Sequence, residues 1–257
     1  MKPSKRLEQD SIRDDVAIIN AEGMHYRDLN FLIKSNSNSV RRIDIYNVDG
    51  QRYIGTGLKS NIELHLYGTP GNDLAAFMDG PTIYVHGDAQ DGVGNTMNNG
   101  KVVVYGRAGD IVGYSMRGGK IFIRDDAGYR VGIHMKEYGN QKPILVIGGT
   151  VQDFLGEYMA GGILVVLGLT LKDRETCKAK FVGTGMHGGI IYFRGQLSHT
   201  GKEVKVTEIE KDDVAVLRPI IEEFCNHFNL DVDTIPLKEF KKLIPHSTRP
   251  YGKLYAY

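Results

Sequence analysis

The chain has 257 residues, no tryptophan, and 32 Lys+Arg against 31 Asp+Glu, a net charge of +1. That length suits one large domain or two small ones, and the near-neutral balance gives no bulk electrostatic case for nucleic acid or an anionic membrane. Two cysteines, Cys177 and Cys225, exclude a disulfide framework and a four-cysteine metal site. No run approaches the roughly 18 apolar residues of a membrane span. The opening MKPSKRLEQDSIRDD lacks the apolar core of a signal peptide, so the expected location is the reducing cytoplasm.

In chain order, the first element is a helix over 26–35, where Leu29, Leu32 and Ile33 share a face. NSNS at 36–39 is a turn, and 40–48 reads as a strand. Glycine then takes over. Residues 50–195 hold 29 of the 32 glycines, and this shift in composition marks three parts: an N-terminal flank at 1–49, a glycine-repeat region at 50–200 and a C-terminal tail at 201–257.

The glycine-rich part is periodic. Met78, Met97, Met116, Met135, Met159 and Met186 stand in equivalent places, at spacings of 19, 19, 19, 24 and 27. An aliphatic residue and a glycine lie ahead of each methionine, as in Val112-Gly113 before Met116; the Met78 unit has Ala75 in place of the glycine. After the methionine come another glycine and an alternating apolar run, such as Gly119 and then Ile121/Ile123. The Met135 unit carries extra residues, and 169–181 is a charged insertion.

Alternation with period two marks a half-buried strand, and glycine supplies corners at φ > 0. A unit of this length is too short for a helix pair or a βαβ crossover. The fold predicted is all-β: a single-stranded, right-handed parallel β-helix of about seven coils with short helical flanks. The methionines form its internal column, because an unbranched, polarizable side chain fills the gaps between coils.

In the tail, Leu217, Ile220, Ile221, Phe224 and Phe228 predict a helix with Asp212 or Asp213 as N-cap and Pro219 near its start or at a kink. A second short helix is predicted from Pro236, with Leu237, Phe240 and Leu243 on one face, followed by the aromatic end Tyr251, Tyr255, Tyr257.

Motifs that carry chemistry are weak. Gly183–Gly188 matches GxGxxG, but a strand follows where a dinucleotide loop needs a helix. Gly113–Gly118 lacks the Lys-Ser/Thr of a P-loop. The eight histidines form no metal-ligand pair; His65 and His86 fall at outward strand positions, where a solvated side chain is expected, and His134 and His187 at corners. Cys225 reads as a buried thiol, and Cys177 could be an exposed one. Asp88, Asp91, Asp110, Asp125 and Asp126 follow the strands. They could line a hydrolase groove, but Asp beside Gly at a corner is ordinary turn chemistry. No catalytic, cofactor-binding or metal-ligating residue is assigned.

The repeat YNVDGQRYIGTGL, GTPGNDLAAFMDG, GDAQDGVGNTMNNGKVVVYG and GEYMAGGILVVLG, closing on VAVLRPIIEEFCNHFN and FKKLIP, resembles the C-terminal GXGXG domain of the large subunit of glutamate synthase over roughly residues 40–245. The resemblance implies a scaffold. In that family ammonia release belongs to an amidotransferase domain with an N-terminal cysteine, and reduction belongs to an FMN barrel with an iron–sulfur cluster. Here Met1 is followed by Lys2 and no cysteine cluster exists. The implied role is a non-catalytic subunit of a split glutamate synthase, with FMN and the cluster on partner chains and a glutamine amidotransferase as a further partner. The alternative is the formylmethanofuran dehydrogenase component that shares the M-x-G-G coil repeat. A self-sufficient β-helix enzyme is a third reading.

One outward row is unusually apolar. Tyr84, Val103, Phe122, Val165 and Tyr192 each lie six residues after a column methionine. Either the C-terminal helices fold back over the row, or it is an open interface for a partner.

Overall fold

A computed structural model describes residues 12–13, 15–172, 176–197 and 199–248; the aromatic end at 251–257 and most of the N-terminal segment lie outside these. The elements are β1 (Ile12–Arg13), β2 (Val16–Asn20), α1 (Tyr26–Asn36), β3 (Arg42–Asp49), β4 (Glu63–Thr69), β5 (Asp79–His86), β6 (Asn99–Val104), β7 (Lys120–Ile123), β8 (Ile144–Ile147), β9 (Ala160–Val166), β10 (Gly188–Arg194), β11 (Val204–Glu208), α2 (Lys211–Phe228) and β12 (Phe240–Pro245).

Strands β2 to β10 pair in parallel, in sequence order. The chain is a parallel β-solenoid, as the repeat predicts. Its registers align two inward ladders, Ile83–Val102–Ile121–Leu145–Leu164–Ile191 and Val85–Val104–Ile123–Ile147–Val166–Phe193. All twelve side chains are fully buried. β-Branched residues dominate because they fit a pleated surface covered on both sides.

The glycine corners rest on a backbone device that the repeat shows only in part. Alternate residues are left-handed: Ile111, Gly113 and Ser115 have φ of 53°, 71° and 52°. Their amides point alternately along the axis. Ile111 and Ser115 donate to Tyr129 and Ile133 of the following coil, while Gly113 donates to Val93 of the preceding one. The middle position faces the core, and a Cβ on Gly113 would lie 2.9 Å from the Leu145 methyl. Most outer positions keep side chains, and several of these are exposed, as at Tyr53, Phe77, Tyr158 and Phe181; Gly57, Gly92 and Gly185 hold the others. Ala75 holds the middle place at φ 61°.

The G-x-x-M spacing is a turn. Met97, Met116 and Met135 donate their amides to the carbonyls of Gly94, Gly113 and Gly132. Each methionine side chain then reaches the next coil: a Cβ on Gly119 would sit 2.6 Å from Met97 Cε, and one on Gly189 2.6 Å from Met159 Cε. Met78, Met97, Met116, Met135, Met159 and Met186 are all fully buried. Met116→Ala is expected to cost about 2–5 kcal/mol. A denaturant midpoint unchanged from wild type would refute a load on this column.

The ends are capped from both sides. β1 lies antiparallel on β2, and α1 buries Leu29 and Ile33. At the other end β12 runs antiparallel to β10, and β11 closes on β12. The predicted helix from Pro236 is therefore replaced by a short 3-10 turn at Leu237–Glu239 and a strand. Residues three apart share a helical face but lie on opposite faces of a strand. Phe240 enters the outer cluster beneath α2, and Leu243 enters the inner core.

α2 forms as predicted, with two differences. Glu210 is the N-cap, and Asp213 completes a capping box. Pro219 is mid-helix and exposed. Pro219 has no amide to donate to the carbonyl of Ala215, which is itself exposed.

Candidate functional site

The apolar outward row is not open. Val103, Phe122, Val165 and Tyr192 are fully buried and Tyr84 is partly buried, because α2 lies across them, with Ile235 and Phe240 of the segment after it in the same cluster. This corrects the reading of these residues as a free docking face: the tail folds back, as an amphipathic helix with Leu217, Ile220, Ile221 and Phe224 on one side must to bury that side. Phe122 meets Phe224 at 6.5 Å and His227 at 5.1 Å between ring centroids.

Two polar clusters pin α2 to the sheet. At its start Tyr192 Oη donates to Asp213 Oδ1 at 2.7 Å, Lys242 Nζ meets the same oxygen at 2.7 Å, and the Glu210 amide donates to Oδ2 at 2.9 Å. Burial raises the Asp213 carboxyl, but these three bonds outweigh it and hold the group below its ordinary range. Burial and the neighbouring carboxylate push the Tyr192 phenol upward. Further along, Glu223 bridges Lys101 at 2.6 Å and Lys120 at 2.5 Å. The sequence reading missed this pair; the available signal was two lysines one coil period apart.

The aspartates are bound to backbone. Asp88, Asp91 and Asp110 each accept, at Oδ1, an amide of the next coil, from Arg107, Asp110 and Tyr129 at 2.7–2.9 Å. Asp126 accepts the Thr150 amide and the hydroxyls of Thr150 and Thr170. The glycines beside them make room: a Cβ on Gly109, Gly128 or Gly149 would fall 2.1, 2.0 or 2.2 Å from the carboxylate of Asp91, Asp110 or Asp126. Asp125 instead pairs with Arg124 at 2.9 Å. The turn reading of this group describes the geometry, and no hydrolase groove assembles from it.

His65 and His86 are not simply solvated. His65 Nδ1 and His86 Nε2 lie 3.1 Å apart. Around them rings stack face to face, Tyr46 on Tyr67 at 4.5 Å, Tyr67 on His86 at 4.5 Å and His86 on Tyr105 at 5.3 Å. Burial, and then the Arg42 guanidinium, push both imidazoles below the ordinary histidine value; burial and Lys101 do the same to His227. A depressed histidine binds fewer protons folded than unfolded, so stability is full above about pH 6.5 and falls on acidification below it. Denaturant titrations from about pH 8 down to 5 should show that decline, and the double variant His65→Gln/His86→Gln should flatten it. An undiminished slope would contradict the assignment.

Cys177 is buried with its thiol on the Val151 carbonyl, so it is not the exposed thiol that its charged surroundings suggested. Cys225 is buried, and desolvation raises it. The GxGxxG segment leads into β10, and Gly113–Gly118 leads towards β7. Among the described residues no group of three or more His, Cys, Asp or Glu could hold a metal ion, and no helix is long and apolar enough to cross a membrane.

A solenoid whose corners alternate left-handed residues, with glycine at the core-facing place in every corner but that of Ala75, is a GXGXG structure. The GXGXG motif family matches residues 22–250, and the chain belongs to it; this is the family of the GXGXG domain of glutamate synthase. The chain is also 49% identical over 250 residues to the uncharacterized protein MJ1350 of Methanocaldococcus jannaschii, covering 93% of this chain and 96% of that one.

Proposed function

We propose that this chain is a non-catalytic scaffold of a split, glutamate synthase-type oxidoreductase. It would hold an FMN/iron–sulfur synthase chain and a glutamine amidotransferase chain, which together make glutamate from glutamine and 2-oxoglutarate. One observation carries the reading. The residues that could do chemistry are consumed by the fold: the corner aspartates bind backbone amides, and Asp213 and Glu223 fasten α2. What remains free on a solenoid is its walls, the usual use of such folds. Family membership supports the glutamate synthase context.

The reading assigns FMN and the cluster to the partners. The purified chain should therefore be colourless and should neither hydrolyse glutamine nor oxidise NAD(P)H. Affinity purification from the source organism should recover an FMN-barrel chain and an amidotransferase. Recovery of formylmethanofuran dehydrogenase components, a flavin spectrum in the isolated chain, or glutaminase turnover by it would overturn the proposal.

A further inference from the structure

Helix α2 is held to the sheet at two places, with a weak point between them. Its first turn is fixed by Asp213, which takes the Tyr192 hydroxyl and the Lys242 ammonium. Its far half is fixed by Glu223 on Lys101 and Lys120. Pro219 lies between the two and has no amide for the Ala215 carbonyl, so the helix lacks a rung there and bends most easily at that point. After the helix the chain returns to β12 through 229–239, where Ile235 is the one buried side chain. Residues 220–228 are therefore a flap, hinged at one end and lightly anchored at the other.

His227 sits on the underside of that flap. Its Nε2 is buried with no hydrogen-bond partner. Glu223 Oε1 is 3.9 Å away, and that oxygen already meets Lys101 at 2.6 Å. The ring lies 5.1 Å from Phe122 and 6.3 Å from Tyr84 between centroids. The sheet offers it no acid: β5 presents Tyr84 and His86 outward, β6 presents Lys101 with Tyr105 just beyond its end, and β7 presents Lys120. On α2 itself Glu222 is paired with Arg218; in the return segment Asp233 faces Arg218 at 4.0 Å and Asp231 caps its own turn. A proton on His227 therefore puts three cations around one carboxylate, beside aromatic rings and away from water. Burial, and then the Lys101 charge, hold the imidazole below its ordinary value.

We infer that residues 220–228 are an acid-released flap: protonation of His227 lifts them about Pro219, the Asp213 cluster keeps the first half of α2 in place, and the movement uncovers Val103 and Phe122. The direction follows from linkage. The closed flap holds His227 neutral, and the open flap lets it take a proton at its ordinary value near about 6.5. Opening is therefore constant above about pH 6.5 and rises below it, by at most about tenfold per pH unit. The flap controls access to the apolar face beneath it. The inference stands apart from the scaffold reading and needs no partner chain.

Cys225 reports the movement, because its buried thiol lies in the flap. The intact chain is treated with a pyridyl disulfide, which reacts with thiols in acid as well as at neutrality; the labelled cysteine is identified by mass, and each rate is divided by that of a free thiol. Between about pH 7.5 and about pH 5.5, Cys225 labelling is expected to quicken several-fold, up to about tenfold. Amide exchange in β7, β8 and β9, corrected for pH, should not keep pace, because the flap opens locally. His227→Gln, neutral at both pH values, should label at one rate. Pro219→Ala, which restores the missing helix bond, should label more slowly than wild type at both. The same acceleration in His227→Gln, labelling of Pro219→Ala as fast as wild type, or strand amides quickening in step with Cys225 would each overturn the inference.

Discussion

Gly100→Ala is expected to cost more than about 3 kcal/mol and to leave little soluble protein. Gly100 has φ +100°, where an L side chain is strained, and a Cβ there would lie 2.3 Å from the Pro81 carbonyl oxygen and 3.1 Å from the Gly80 carbonyl carbon of the coil below. Backbone cannot swing aside as a side-chain tip can, because those carbonyls belong to the parallel stack. Gly139 is the control: it has φ +60° but no atom within 4 Å of an added Cβ. Gly139→Ala should lose only the strain of a left-handed alanine, about 1–2 kcal/mol. Equal losses in the two variants, by urea denaturation, would show that coil-to-coil contact is not what requires glycine.

The second large effect is at the covered face. Phe122→Lys should destabilise by at least about 3–5 kcal/mol, from the lost ring and an ammonium forced among apolar groups. Phe122 lies between Val103 and Val146 in the sheet, fully buried beneath Phe224 and His227. Tyr192→Phe keeps the ring and loses only the hydroxyl bond to Asp213, about 1–2 kcal/mol. Wild-type melting and helix content in Phe122→Lys would mean that α2 does not lie on this face in solution.

The core could be read from the sequence because every coil repeats one local event. A four-residue turn from glycine to methionine fixes the spacing, and alternation after it fixes which side chains face inward. The outer left-handed positions were hidden because they carry Tyr53, Phe77, Tyr158 and Phe181, side chains that disfavour φ > 0 but cause no clash when they point to solvent. β12 was misread because Leu237, Phe240 and Leu243 are three apart, a spacing that suits a helix and also suits a strand buried on both faces. The lid formed by α2 was legible only as one of two options. Its pins join residues as distant as Lys120 and Glu223, and no local pattern encodes them.

The central claim is that this chain assembles a glutamate synthase without contributing catalytic groups. Its most direct test is reconstitution: glutamine-dependent glutamate formation by the FMN-barrel and amidotransferase chains, measured with and without this protein. The scaffold account predicts that coupled turnover requires the chain and persists when Asp110 or Asp126 is replaced by asparagine, which keeps an acceptor for the corner amide. Full coupled turnover without the chain, or its loss in those asparagine variants while the fold is intact, would contradict the account.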